Sequence, residues 1–438
     1  MSAPPWVRVA LVMFAVGWGA NQFSPMLIVY RHSLGLSPGE VAGLFAIYAA
    51  TLIPGLLAGG PLSDRFGRRA CVLPFAALSP VATLLLVLGP RSLPLIAAGR
   101  ALAGLCSGMV FGPATAWVQD LSHGDALSAR RAALALSAGF GLGPVVAALL
   151  AQWAGGVGGN GPLVVPYLPH LALGTAALAV GLTAPAIAGT DRTARPSTRP
   201  VAPTARRRPP AGLRTRAFWL GVAPAAPFVF GCASLAIVVL PEEVTSARTL
   251  SAGYAGLMTA LTFAAGIGVQ PAARRLAERR PQAGLAAGLG CAAAGAAAGA
   301  AAVGAAGTAA ASAAAASAPC QLLAGLAAVL LGLAYGLCLV SGLHQAERLA
   351  GPADRGTVLA AYYVLAYLGF AAPYAVDGLN LALGKPGTFA AAAGAAALLA
   401  AFTWLRTAQE PAARRAGRSP RARTNERASS ALADPRAT

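Results

Sequence analysis

Long apolar stretches alternate with short polar loops along most of this 438-residue chain. About 20 mostly apolar residues make an α-helix long enough to cross a bilayer, so each stretch predicts a membrane-spanning helix. The first six predicted spans lie near residues 7–29, 40–60, 71–89, 94–117, 130–152 and 168–188. The second six lie near 217–240, 252–271, 282–303, 320–343, 356–377 and 387–405, where an Ala/Gly/Ser run leaves the limits of the ninth span open. The pattern predicts an all-α polytopic membrane protein with twelve transmembrane helices.

The two groups of six spans carry similar short sequences at matching places. LSPGEVAGL before the second span resembles LSAGYAGL before the eighth, and GFGLGP in the fifth resembles LGFAAP in the eleventh. Such a parallel repeat predicts two six-helix bundles related by an axis along the membrane normal, an arrangement that transporters use to hold a midplane site. The predicted division is an N-terminal bundle (1–189), a Pro/Arg-rich linker (190–216), a C-terminal bundle (217–406) and a disordered basic tail (407–438).

The distribution of charge along the chain predicts its class and its orientation in the membrane. Only 11% of residues are charged, against about 25% in soluble domains. The net charge of +19 does not indicate a nucleic-acid binder, because the arginines lie in short loops between spans. The basic residues of the predicted outer loops are Arg31, Arg91, Arg248 and Lys385, and nearly all the others fall on the opposite side. Cytoplasmic loops retain positive charge, so both termini, the linker and the tail are expected in the cytoplasm. Scarce lysine beside abundant arginine and alanine is typical of a GC-rich bacterial genome, and the expected location is the bacterial inner membrane.

The sequence predicts no metal, cofactor or catalytic centre. The six cysteines lie mostly in apolar sequence without a C-x-x-C pair, and the four histidines match no metal-ligand spacing. No G-x-x-x-x-G-K-[ST] loop is present, which argues against ATP as the energy source. An enzyme would be expected to show clustered histidines or paired carboxylates near one interface, and the chain shows neither.

The loop after the second span is the most specific motif. It fits G-x-L-x-D-R-x-G-R-R at every defining position, namely Gly60, Leu62, Asp64, Arg65, Gly67, Arg68 and Arg69. Gly60 permits a close helix approach, Gly67 permits a tight turn, and Asp64 can accept hydrogen bonds from a neighbouring helix N-terminus. The pattern resembles the loop between the second and third spans of the major facilitator superfamily. That resemblance implies a cytoplasmic latch, in which Asp64 meets the start of the eleventh span and holds the outward-facing state. A simple anchor of positive charge would explain the arginines but not Asp64 or the glycines.

The fourth span contains a charged residue. Arg100 is followed by Gly104 and Gly108, whose four-residue spacing lets another helix pack closely. A charge inside a span costs roughly 2.5–3.5 kcal/mol or more, so it normally faces a cavity or a partner. The pattern is similar to the R-x-x-x-G element of proton-coupled members of the superfamily, which implies a role in proton or substrate handling. An arginine that reaches outward to the interface is the alternative.

The fifth span contains Gly139, Gly143 and Pro144. This combination bends a helix and lets a neighbouring helix pack closely against it. It resembles the element associated with antiporters of the superfamily. Ala147 and Ala148 stand where that element has a closing glycine pair, and Arg130 stands at its upstream glycine. These departures weaken the implied antiport.

Polar and aromatic side chains near the depth of Arg100 are candidates for a central cavity. The first span holds Trp18, Asn21 and Gln22, and the eleventh holds Tyr363 and Tyr367. Amides in lipid are expensive unless they have partners, so Asn21 and Gln22 either line the cavity or form hydrogen bonds between helices. The tyrosines likewise either line the cavity or pack.

Carboxylates for proton coupling are scarce. Many drug exporters of the superfamily carry an acid in the first span, and this chain has none there. Glu40, which opens the second span, and Asp377, which closes the eleventh, are the candidates, although both could be ordinary interfacial charges.

The resemblance covers residues 7–405 and is to the drug-exporter-like (drug:proton antiporter) branch. It implies a monomeric secondary transporter that works by alternating access and exports a small amphipathic compound against protons. One alternative is facilitated diffusion or uptake of a small neutral nutrient, which the missing first-span acid favours. Another, of a different class, is a non-transporting membrane sensor or lipid-modifying protein.

Overall fold

The computed structural model describes residues 4–122, 128–156, 158–186, 211–244, 252–311, 318–350 and 355–416, and regular structure in these ranges is helical. The first six spans are α1 (Pro5–Leu34), α2 (Pro38–Phe66), α3 (Arg68–Leu88), α4 (Leu93–Leu121), α5 (Ser128–Ala154) and α6 (Gly161–Leu182). The next four are α7 (Arg216–Val244), α8 (Gly253–Arg279), α9 (Pro281–Ala311) and α10 (Ala318–Leu349). Each of these ten helices overlaps a predicted span.

The last apolar run of the chain is long enough to cross the membrane twice. The apolar run Ala361–Arg406 has 46 residues, so a straight helix would be about 69 Å long, about twice the thickness of a bilayer core. The run bends at Gly384, whose φ of +69° is not helical. This glycine separates α11 (355–383) from α12 (385–416), and α11 also contains a 3-10 turn at Leu368–Ala371. The twelve predicted spans are therefore present.

The two bundles repeat the same packing. In the first, α1 contacts α5 and α2 contacts α4, while in the second, α7 contacts α11 and α8 contacts α10. A methyl group on Gly104 of α4 would overlap the Tyr48 carbonyl of α2, and one on Gly332 of α10 would overlap the Thr262 carbonyl of α8. Because the closest contacts fall at equivalent helices, the sequence repeat corresponds to a structural repeat.

The junctions between the predicted segments lie largely outside the described residues. Of the linker, residues 187–210 are not described, and Ala211–Arg214 form a 3-10 turn just before α7. Of the tail, α12 continues to Ala416 and residues 417–438 are not described. Below, the end of the molecule that carries the Gly60–Arg69 loop is called the inner end and the opposite one the outer end, after the predicted orientation.

Candidate functional site

An aromatic cluster joins the two bundles. Phe45 of α2 packs edge-on against Phe370 of α11, with ring centroids 4.7 Å apart. Phe370 lies 4.9 Å from Phe230 of α7, which stacks on Tyr367 at 4.5 Å. The central aromatic cluster consists of Phe45, Phe230, Tyr335, Tyr363, Tyr367 and Phe370. It contains both tyrosines of the predicted cavity, whereas sequence reasoning missed the phenylalanines because an isolated aromatic residue in a span gives no signal beyond packing.

Trp18 lies where α1 meets α5. A methyl group on Gly143 would lie 2.8 Å from the Trp18 carbonyl oxygen, and one on Gly139 would overlap the Phe14 carbonyl. The predicted bend element, with Pro144 inside α5, is thus the surface on which α5 packs against α1. The Trp18 side chain is buried, and its indole nitrogen has no hydrogen-bond partner among the described residues.

Asn21 and Gln22 form hydrogen bonds between helices. The Asn21 amide nitrogen donates to the Phe140 carbonyl of α5 at 2.8 Å, and the Gln22 amide nitrogen donates to the Thr83 hydroxyl of α3 at 3.0 Å. Helix α1 is interrupted at this point, since its first segment ends at Asn21 and its second begins at Met26. Both amides are buried, so their lining of a cavity stays a prediction.

A buried histidine completes this hydrogen-bond chain. His170 of α6 is fully buried, and its Nε2 lies 3.1 Å from the Ala15 carbonyl oxygen. A carbonyl only accepts, so Nε2 carries the proton and Nδ1 accepts from the Thr83 hydroxyl at 2.7 Å. Gly19 makes room for the ring, because a methyl group there would lie 2.5 Å from Nε2. The chain ties α1, α3 and α6 together, and a lone histidine in the sequence gave no sign of it.

Arg100 lies inside the N-terminal bundle in a cage of rings and carbonyls. Its side chain donates to the carbonyl oxygens of Leu44 and Ala20, both at 3.3 Å. The guanidinium carbon lies 4.4 Å from the centroid of the Phe23 ring and 4.6 Å from that of Tyr48. Arg100 is only 2% exposed, so in this structure it does not reach outward to the interface. Cation–π contacts and two carbonyls compensate the buried charge.

The loop between α2 and α3 turns at Gly67, where φ is +94°. The Asp64 carboxylate accepts from Arg68 of the same loop, and Arg68 also lies 3.6 Å from Asp120 at the end of α4. The Asp64 side chain is 68% exposed. A contact between Asp64 and the start of α11 is not made among the described residues, and the latch stays a prediction.

The other residues of this loop differ in whether they contact neighbouring helices. Arg69 donates to the carbonyl oxygens of Leu182 and Ala184 at the end of α6, at 2.7 and 3.1 Å. Arg65 stacks on Phe66, and Leu62 is exposed. A methyl group on Gly60 would meet open space, so the close approach expected there is made by earlier residues of α2. It belongs to Gly55 and Gly59, which face Gly108 of α4.

At the outer end the two bundles are drawn together. Arg31 of α1 forms an ion pair with Glu242 of α7. The backbone N–H of Gly253 in α8 donates to the Gln152 side chain of α5 at 3.3 Å, and Tyr374 of α11 donates to the Gly39 carbonyl of α2 at 3.4 Å. These contacts join the two bundles at this end.

Further charges surround the Arg31–Glu242 pair. Glu243 forms an ion pair with Lys385 of α12 at 2.7 Å and lies 3.5 Å from the Asn380 amide nitrogen. Asp377 is close enough to act electrostatically on both glutamates. Sequence reasoning missed Glu242 and Glu243 because it ended the seventh span at residue 240, although the Pro-Glu-Glu sequence directly after an apolar run was visible. The other predicted coupling group, Glu40, caps α2 through two 2.8 Å hydrogen bonds from Ser37.

Known proteins resemble this chain both in sequence and in fold. A family model for the Major Facilitator Superfamily matches residues 9–372. The quinolone resistance protein NorA of Staphylococcus aureus is 25% identical over 142 residues, which are 32% of this chain and 36% of NorA. The inner membrane transport protein YnfM of Escherichia coli K12 is 34% identical over 86 residues, which are 19% of this chain and 21% of YnfM. The matches therefore span about a third or less of these relatives.

Solved transporter structures share the fold at low sequence identity. A peptide transporter, POT, superposes with a TM-score of 0.71 at 16% identity, covering 91% of this chain and 93% of its own. The nucleoside transporter NupG gives 0.64 at 12% identity, covering 92% and 99%. A D-xylose-proton symporter gives 0.59 at 14% identity, covering 91% and 96%. The chain belongs to the Major Facilitator Superfamily and has the polytopic helical fold of these transporters.

Proposed function

We propose that the chain exports a small amphipathic, drug-like compound from the cytoplasm by alternating access, in exchange for protons. The central aromatic cluster between the two bundles carries this proposal. The cluster lies between the two bundles, where a transporter built from two repeats is expected to bind its substrate. Similarity to a protein named for quinolone resistance supports export over uptake.

The composition of the cluster favours flat apolar cargo. Aromatic faces bind other rings by offset or edge-on stacking and attract weakly held cations. The members of the cluster are phenylalanines and tyrosines, with no carboxylate or ammonium among them. A neutral or weakly cationic aromatic compound therefore fits better than a phosphate or a dicarboxylate.

Coupling to protons rests on different residues. Of the two predicted carboxylates, Glu40 is occupied as a helix cap and is exposed, whereas Asp377 lies beside the charged groups at the outer end. We favour Asp377 as a coupling group for this reason. The proposal also includes Asp64 as the inner latch, Arg100 in proton or substrate handling, cytoplasmic termini in a bacterial inner membrane and a monomeric transporter.

Transport by purified protein in liposomes tests the proposal. Ethidium and a fluorescent quinolone serve as aromatic probes, and the pH gradient is imposed in either direction or omitted. We expect accumulation only when protons can move opposite to the probe, with empty liposomes as the control. Equal rates with and without the gradient would replace antiport by facilitated diffusion. Transport of a neutral sugar or nucleoside but of neither probe would favour the nutrient carrier.

A further inference from the structure

We propose that Arg31 and Glu242 form a proton-sensitive lock, which keeps the outer end closed while Glu242 is ionised and releases it when Glu242 is protonated. The inference rests on alternating access within the proposed function, and not on the cargo or on proton antiport.

The position of the pair makes it a lock between bundles. Arg31 lies near the end of α1 in the N-terminal bundle, and Glu242 lies near the end of α7 in the C-terminal bundle. Their side chains are 32% and 18% exposed, so the pair is partly shielded from water. The two helices occupy equivalent places in the repeat. When the bundles separate at the outer end, this ion pair must break.

The surroundings of Glu242 favour proton uptake when the pair breaks. Its Oε1 is buried and has no hydrogen-bond partner among the described residues, while Oε2 contacts Arg31. Among the described residues, the charged groups that act on it are Arg31 of α1, Glu243 beside it, Asp377 of α11 and Lys385 of α12. Burial and a neighbouring like charge both stabilise the neutral form of a carboxyl group.

The direction of the effect follows from linkage. The ionised form of Glu242 attracts Arg31 and therefore favours the closed outer end. A proton from the outer water that binds the Glu242 carboxylate removes this attraction, so acid favours opening. By reciprocity, the open state binds that proton more tightly than the closed state does.

Glu243 provides a matched control. It is adjacent in sequence and also forms an ion pair, but its partner Lys385 belongs to the same bundle. Loss of the Glu243–Lys385 pair does not release one bundle from the other. A Glu243→Gln change therefore removes an equal charge from the same region without unlocking the outer end.

Distances between spin labels across the outer end test the lock. Trp153→Cys on α5 and Leu381→Cys on α11 are exposed label sites, in a full-length chain whose six native cysteines are replaced by alanine. Distances are recorded at pH 8 and pH 5 for the unaltered lock, for Glu242→Gln and for Glu243→Gln. A second label pair at Leu134→Cys and Ala272→Cys follows the inner end. Hydrogen exchange provides a second measure of opening at the same outer segments. It is measured at one pH on unlabelled chains that keep their native cysteines.

We expect acid to raise the ratio of open to closed outer ends by about fivefold or more in the unaltered lock, a free-energy change of about 1 kcal/mol. Glu242→Gln should be open at both pH values, Glu243→Gln should retain the response, and Arg31→Glu with Glu242→Arg should restore the closed state. A pH response that survives Glu242→Gln, or that Glu243→Gln removes, would overturn the lock. Failure of the proposed export would appear in the liposome assay and leave these distances unchanged.

Discussion

Gly256 of α8 faces Ala148 of α5 so closely that a methyl group on Gly256 would overlap the Ala148 methyl carbon. Carbon atoms in packed protein normally lie about 3.5–4.0 Å apart, so this contact exists only because residue 256 has no side chain. Ala148 occupies a position where the related antiporter element carries glycine. Here the small residue is supplied by the partner helix in the other bundle.

A Gly256→Ala change should therefore hinder closure of the outer end. Overpacking of this kind costs about 1–3 kcal/mol, which corresponds to a shift of about 5- to 150-fold toward the outward-open state. The spin-label pair across the outer end measures the shift. Gly268→Ala in the same helix is the control, because a methyl group there meets open space. Equal closed populations in the two variants would contradict the steric role of Gly256.

The twelve helices and the close packing at Gly104 and Gly108 could be predicted from the sequence because both follow local rules. Apolar length sets a span, and small residues four positions apart, such as Gly104 and Gly108, mark a tight helix pair. The lock could not be predicted in this way. Arg31 and Glu242 are 211 residues apart and lie in different bundles, so their contact depends on how the bundles are tilted. The His170 network was missed for a similar reason, since its partners come from three helices.

Asp64→Asn should slow transport by about tenfold or more if the latch forms in the outward-facing state, since hydrogen bonds to charged groups contribute about 1.5–3 kcal/mol. Stability should change little, because the Asp64 side chain is 68% exposed. Turnover in liposomes and the melting temperature are the two measurements. Glu278→Gln, which alters an exposed acid in the last turn of α8, is the control. Turnover equal to that of the control would remove the latch.

Arg100→Lys should abolish most transport while the protein still inserts and folds. An ammonium group cannot reproduce the fork that reaches the Leu44 and Ala20 carbonyls and stacks on two rings. Tyr48→Phe serves as the matched variant, because it keeps the ring beneath the guanidinium and removes only the hydroxyl. We expect near-normal uptake for Tyr48→Phe and a loss for Arg100→Lys. Unchanged kinetics in Arg100→Lys would limit Arg100 to helix packing.

His170→Ala should lower stability by about 1–3 kcal/mol, since it leaves the Thr83 hydroxyl and the Ala15 carbonyl without their buried partner. Thr83→Val should have a comparable effect, and the double variant should lose less than the sum because both changes break one network. Melting of the purified protein in detergent measures each loss. The control is His32→Ala, which alters an exposed histidine. Additive losses would show that the two side chains act independently.

Tyr367→Ala should weaken binding of ethidium more than Tyr367→Phe does. The ring of Tyr367 stacks on Phe230 with centroids 4.5 Å apart and planes 11° apart, within the central aromatic cluster that joins the bundles. An aromatic pair contributes about 0.5–1.5 kcal/mol beyond burial, which predicts a loss of affinity of about 2- to 13-fold for alanine and little loss for phenylalanine. Fluorescence titration measures the affinity, and Trp153→Ala, which alters an exposed aromatic residue, is the control. If the Tyr367→Ala and Tyr367→Phe variants bind ethidium equally well, the stacked pair does not contact the cargo. The binding site must then lie elsewhere between the bundles.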